Sequence, residues 1–317
     1  MIKSGISKLT EKFKKERRRL SLLPFLIPAI VLALIFCYMP MIGLLMGFKT
    51  KLNLFIYEPL EAFFNAEWTL ENYRVLFSDA NFLSALGNTL LISVLKIVIL
   101  FPIPILFAIF LTDMGNLRMR KIFQAVVYLP HFLSWAIVAA LFKKVFSSYG
   151  IVNSFLIQLG LMDAANPTLW FQDTSKFLFL VLFTEGWKEI GWSMIVYVSA
   201  ILAIDQDMLE AARMDGAGKL AQMWYITLPA ISTTITTMFI LRISYLLDAG
   251  FDQIYALHTV TTSNRWQILG TYIFKLGIQE GDYAFSTAVS FFNSVVALLL
   301  VLAGNFITKR ISGKGIY

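Results

Sequence analysis

Glu185, Lys188 and Glu189 stand together in an otherwise apolar stretch, with Trp187 and Trp192 beside them. Charges inside such a run are costly to desolvate and persist where they pair or face a polar cavity. Glu185 and Lys188 are three residues apart, so on a helix they share a face and can form an ion pair. Trp rings next to hydrogen-bonding side chains also suit a sugar, whose ring has apolar and hydroxylated sides. A second polar group, Arg242, Tyr245, Asp248, Asp252 and Gln253, lies further along, with Tyr245 and Asp248 on one helical face. Asn293 is a lone amide in the last apolar run, suited to a substrate hydroxyl or to gluing two helices together. Lys96 must snorkel or pair, and His131 after Pro130 reads as a satisfied buried ring. The expected substrate path is therefore Glu185, Trp187, Lys188, Glu189, Trp192, Tyr245, Asp248, Gln253 and Asn293. The competing reading of each is structural: buried pairs, or pairs at a subunit interface.

The chemistry changes over residues 204–230. Glu210-Ala211-Ala212 and Asp215-Gly216-Ala217, closed by Leu228-Pro229, make a polar, helix-forming segment between two long apolar runs. Asp205 and Asp207 suit a helix start, and Ala211 and Ala212 are strong helix formers. Gly216 or Gly218 can take the left-handed conformation that ends a helix. A second short helix is expected from Gln222 to Ile226, with Trp224 and Ile226 anchoring it. The product is a helix-turn-helix elbow whose small residues can enter a partner's groove and whose Glu210 can meet a cation.

Other chemistry is excluded. Gly216-Ala217-Gly218-Lys219 lacks the first glycine of a nucleotide-phosphate cradle, and Leu220 stands where the hydroxyl residue belongs. Two histidines and the single Cys37 leave too few ligands for a zinc site. No Ser/His/Asp set or paired carboxylates for an integral membrane enzyme stand out.

The elements that carry these residues are membrane helices. Hydrophobic residues make up 58% of the 317, and charged residues only 15%, against about a quarter charged in soluble domains. A bilayer-spanning helix needs about 20 predominantly apolar residues. Six runs qualify: 22–48, 84–112, 122–146, 176–203, 228–250 and 284–308. They lack period-2 alternation, and a helix satisfies its own backbone in lipid. The first run is too long for a signal-peptide core and is kept as a helix. The net charge of +7 points to topology and not to nucleic acid: eight of the first twenty residues are Lys or Arg. Placing residues 1–21 and 309–317 in the cytoplasm gives a two-to-one basic excess on that side. The segments 49–83, 147–175 and 251–283 then become outer loops. Pro28, Pro40, Pro102 and Pro104 suggest helices that bend.

The elbow residues Glu210, Ala211, Ala212, Asp215, Gly216, Ala217, Leu228 and Pro229 resemble the coupling loop of permease subunits in binding-protein-dependent ABC importers. Asn88-Thr89-Leu90, Tyr128-Leu129-Pro130, Gly150-Ile151-Val152-Asn153 and Gly186-Trp187-Lys188 are similar to carbohydrate-uptake permeases. Pro130-His131-Phe132 and Gly250-Phe251-Asp252-Gln253-Ile254-Tyr255 resemble the subgroup that imports oligosaccharides of complex polysaccharides such as pectin or alginate. The resemblance implies an all-α, type I permease fold of six transmembrane helices over 22–308. It implies a bacterial cytoplasmic membrane location with both termini inside. It also implies a second, non-identical permease, two ATPase subunits carrying ATP and Mg, an extracellular or periplasmic binding protein and an oligosaccharide substrate. No cofactor is expected in this chain. The reading that competes is a secondary transporter or channel driven through Glu185, Lys188 and Asp248, for which inverted repeats are not visible.

Overall fold

A computed structural model describes residues 23–52 and 58–312. The basic tail at 1–21 and residues 313–317 lie outside the described residues. Among the described residues, three helices are long and apolar enough to cross a membrane alone: α1 (Leu26–Phe48), α2 (Ala80–Thr112) and the final helix, whose qualifying stretch is Tyr283–Phe306. Three bent pairs pass the same test together: α3 (Leu117–Phe132) with α4 (Trp135–Val145), α5 (Thr174–Leu202) with α6 (Gln206–Met214), and α7 (Lys219–Ala230) with α8 (Ser232–Ser244). Counting each pair as one span gives six. After α8 come three short helices, α9 (Phe251–Leu257), α10 (Val260–Arg265) and α11 (Leu269–Phe274), then α12 (Tyr283–Ser312).

The prolines bend the chain where the backbone can absorb them. In α2 a π turn at Lys96–Leu100 precedes Pro102, and the helix runs on to Thr112. A π turn re-registers the ladder, so the donor missing at proline does not break the helix. The expected span at 122–146 is corrected. Pro130 sits in a 3-10 turn, Leu129–Phe132, and α4 restarts at a 103° bend with the Ser134 hydroxyl accepting from Ile137 N. The expected span at 228–250 is corrected as well: with its bent partner it runs over 219–244. It breaks at Ile231 and ends at Ser244, after which Ala249 takes a positive φ of 51°.

The stretch 251–283 is more than a surface loop. Ile254, Leu257, Ile268, Leu269 and Tyr272 are buried and join the cores formed by α2, α4 and α5. Asn88 of α2 donates to the Arg265 and Gln267 carbonyls, and the Thr89 hydroxyl accepts from Leu269 N. Lys143 of α4 donates to the Ala256 and His258 carbonyls. These bonds explain why loop-like sequence folds as a cap: its backbone ends are satisfied by side chains of the bundle.

His258 sits in this cap against Phe177, with ring Nε2 3.2 Å from the Trp266 carbonyl. Burial lowers its pKa to about 4; the bond to Trp266 opposes that shift and the Lys143 charge reinforces it. The unfolded ring titrates near 6.5. Because the folded pKa is the lower one, the unfolded state takes up the proton first. The stabilisation from neutral His258 is complete above about pH 6.5 and is lost as pH falls toward about 4. Hydrogen exchange over residues 251–268, corrected for intrinsic rates, should accelerate between pH 7 and 5, and His258→Gln should remove that pH dependence.

At the other end, α5 crosses α3 closely. A Cβ on Gly191 would lie 2.0 Å from the Val127 carbonyl oxygen, so only glycine permits this approach. The contact seats α5 beside α2 and α3, in a core of Ile105, Ala108, Met194, Tyr197 and Ile201. By contrast α1 leaves Leu26, Ile30, Leu34 and Phe36 exposed, a face for lipid or another helix.

Candidate translocation site

Lys96, at the π turn of α2, is 97% buried and is the hub of the polar interior. Its ammonium meets Glu185 Oε2 of α5 at 3.3 Å, the Ala249 carbonyl at 3.0 Å and Gln253 Oε1 of α9 at 2.6 Å. Three donors thus have three acceptors. The other Glu185 oxygen meets Arg242 Nη2 of α8 at 3.3 Å. Gln253 is anchored in turn by its amide, which donates to Val181 O and Thr184 Oγ1. One carboxylate between two cations, with the remaining bonds filled, offsets much of the desolvation cost of burying charge. The hub therefore joins α2, α5, α8 and α9.

A second cluster lies along α5. Lys188 Nζ donates to His131 O at 2.8 Å and pairs with Glu189 Oε1 at 2.7 Å, while His131 Nδ1 lies 2.7 Å from Glu189 Oε2. The His131 ring stacks on Trp192, with centroids 4.3 Å apart and planes 4° apart.

Between the clusters is a cavity of about 270 Å³ lined by Lys96, Glu185, Glu189, Trp192, Arg242 and Tyr245, with apolar walls including Phe101, Pro104 and Leu241. A second cavity of about 200 Å³ shares Lys96, Arg242 and Tyr245 and adds Ser93, Asp248 and Gly250. An aromatic edge, two carboxylates and an arginine fit a polar, ring-shaped solute. Among the described lining residues no hydroxyl is hydrogen-bonded to a side-chain base.

The elbow leaves the bundle at a 74° bend between α5 and α6. The Asp205 carboxylate caps α6 by accepting from Asp207 N. At the far end Gly216 has φ +77°. Ala217 N donates to Ala212 O and Gly216 N to Arg213 O, the paired bonds of a Schellman stop. Gly218, at φ −68°, caps α7 instead. Lys219 pairs with Asp113 just beyond α2, and Gln222 Nε2 donates to Ala217 O. Ile204, Leu228 and Ile231 root the elbow in the core. Met208, Glu210, Met214, Leu220 and Trp224 are exposed. Trp224 is 63% exposed, so the anchoring expected of it falls to those three residues.

Residues 101–314 match the family described as binding-protein-dependent transport system inner membrane component. The chain belongs to this family. The permease is 35% identical to the polygalacturonan/rhamnogalacturonan transport system permease protein YteP of Bacillus subtilis (strain 168), covering 96% of this chain and 95% of YteP. It is 34% identical to protein LplB of the same organism, over 92% and 89% of the two chains. Among solved structures it matches a chain of a bacterial alginate ABC transporter in complex with alginate pentasaccharide-bound periplasmic protein. The TM-score is 0.85 and the identity 35%, over 96% and 99% of the chains. A second match is to a bacterial ABC transporter involved in the import of the acidic polysaccharide alginate, with a TM-score of 0.84. The family resemblance drawn from the elbow is borne out, and with it the all-α permease fold. The reading as a secondary transporter or channel is set aside.

The permease distributes the nine expected path residues unevenly. Glu185, Glu189, Trp192, Tyr245 and Asp248 line the two cavities. Trp187 is turned away and packs on Phe142 at 5.2 Å. Lys188 is buried under the Trp135 ring, 5.2 Å away. Gln253 is buried in support of Lys96. Asn293 lies elsewhere on α12 with Oδ1 buried and unpartnered among the described residues. The Glu185–Lys188 pair expected from helical spacing does not form: Glu185 turns to Lys96 and Arg242, Lys188 to Glu189 and His131. Spacing places residues on a face, but the partner is whichever opposite charge the packed neighbour brings. Lys96 and Arg242, absent from the expected path, are its main cations, and their signal was a charge inside an apolar run.

Proposed function

We propose that the permease forms one side of the path by which an ABC importer carries an acidic oligosaccharide across the bacterial cytoplasmic membrane. A second, non-identical permease closes the cavities against the rim of Trp192, Leu241 and Tyr245. Two ATPase subunits bind and hydrolyse ATP with Mg, one of them docked on Glu210, Ala211, Ala212, Asp215, Gly216 and Ala217. A binding protein delivers the sugar at the opposite face, and both termini lie on the ATPase side. The uronide-transport names of the relatives support the substrate class.

One observation carries this reading: the elbow is continuous with α5 on one side and, through α7, with α8 on the other. These are the helices that supply Glu185, Glu189 and Trp192, and Arg242. At 1.5 Å per residue the hub lies roughly 15–30 Å from the elbow along either helix. Displacing the elbow therefore tilts both cavity walls. Nucleotide shifts the population because it favours one arrangement over the other. The expected result is that ATPase subunits copurify with the tagged permease and that Glu210→Lys, which leaves the α6 fold intact, removes them along with uptake. Full uptake and undiminished copurification in Glu210→Lys would overturn the docking assignment.

A further inference from the structure

Several hydroxyls within the long helices of this protein share one habit. Thr89, Thr184, Ser199, Ser244 and Ser290 each donate to the carbonyl four residues back. Ser93 does not. It is 95% buried, its Oγ has no partner among the described residues, and it lines the second cavity. Buried hydroxyls are nearly always satisfied, so an orphan facing a polar cavity points to a group that enters it.

The neighbours show what group that is. All three Lys96 donors are taken, and each Glu185 oxygen already has a cation. Arg242 is different: among the described residues it commits one nitrogen, at 3.3 Å, and it borders both cavities. A guanidinium has five N–H donors in a planar fork that matches a carboxylate. Asp248 is exposed at the same cavity and has no ion pair among the described residues, leaving its oxygens free to accept. Tyr245 borders the cavity as well and is 63% exposed.

We propose that the second cavity is a subsite for one hexuronate ring of the transported chain. Arg242 takes the ring carboxylate, Asp248 accepts from ring hydroxyls, and the Ser93 hydroxyl closes the set with a further hydrogen bond. Glu185 keeps Lys96 when Arg242 turns to the substrate, which is why one carboxylate is served by two cations. The inference rests on the acidic-oligosaccharide reading and assigns the residues that recognise the acid.

The test is equilibrium binding of a labelled oligouronate, and of its carboxyl-reduced neutral counterpart, to the complete complex in lipid nanodiscs without binding protein. The wild-type complex should prefer the acid. Arg242→Gln should raise Kd for the acid about 10- to 100-fold and for the neutral form less than about threefold, as expected for a charged hydrogen-bonding group. Ser93→Ala and Asp248→Asn, which leave the hub's ion pairs in place, should raise Kd for both ligands about 3- to 10-fold. Loss of fold alone would not separate acid from neutral. No preference for the acid in the wild type, or wild-type Kd in both Ser93→Ala and Asp248→Asn, would overturn the subsite. ATP hydrolysis stimulated by the loaded binding protein is measured on the same preparation. If hydrolysis is present without binding, the subsite fails and the importer reading stands.

Discussion

Lys96→Met should destabilise the permease by about 3–5 kcal/mol, the scale for stripping one partner from a buried charge network. Methionine fills much of the same volume, so the loss is electrostatic and not a cavity effect. Three groups are affected. Glu185 keeps only Arg242 as a cation, and Gln253 Oε1 and the Ala249 carbonyl lose their donor. Ala249, already in the left-handed region at φ 51°, loses the bond that rewards that conformation. Lys51→Met is the control. Lys51 is 71% exposed, lies 3.9 Å from Asp282, and should cost no more than about 1 kcal/mol. Thermal unfolding of the purified complex reads both. Equal midpoints for Lys96→Met and wild type would show that the hub does not hold the four elements together.

Gly216→Val should abolish transport while leaving the bundle folded. A Cβ at Gly216 meets nothing within 4 Å, so the penalty is not steric crowding. It comes from the backbone: φ is +77°, where an L-residue costs roughly 1–2 kcal/mol and a β-branched one is a genuine outlier. Relief of that strain requires the turn to open, which breaks the Ala217–Ala212 and Gly216–Arg213 bonds and re-aims α7 relative to α6. Gly218→Ala is the matched comparison, because its φ of −68° suits any residue and its surroundings are equally open. Uptake near zero for Gly216→Val beside near-normal uptake for Gly218→Ala would place the requirement in the left-handed turn. Normal uptake in both would remove the elbow's shape from the account of coupling.

The elbow was legible in the sequence because its signals are local. Asp205 as cap, Ala211 and Ala212 as helix formers and a glycine at the stop are each decided within one turn of helix. The choice between Gly216 and Gly218 was not legible, since both residues allow the same turn. Membrane helices were legible through length and apolarity, yet the 103° break at Leu133–Ser134 was hidden within an unbroken apolar run. Pro130 marks it, but proline in α2 is absorbed by a π turn, and sequence does not tell one outcome from the other. The cap over 251–274 was hidden for a different reason. Its backbone groups are satisfied by polar side chains far away in the chain, as by Asn88 across 177 residues. The hub was half visible. A charge in an apolar run announces that it needs a partner, but Lys96 finds Glu185 89 residues away, and helical spacing reaches only the near neighbours.

ATP hydrolysis by the reconstituted complex in lipid nanodiscs tests whether an ATPase drives this permease through its elbow. The permease would be coexpressed with the chains encoded beside it and presented with the binding protein, empty or loaded from a panel of acidic and neutral oligosaccharides. The expected result is a copurifying ATPase whose turnover rises with an acidic oligosaccharide on the binding protein and fails to rise in Gly216→Val. An absent ATPase, or hydrolysis indifferent to every loaded form, would contradict it.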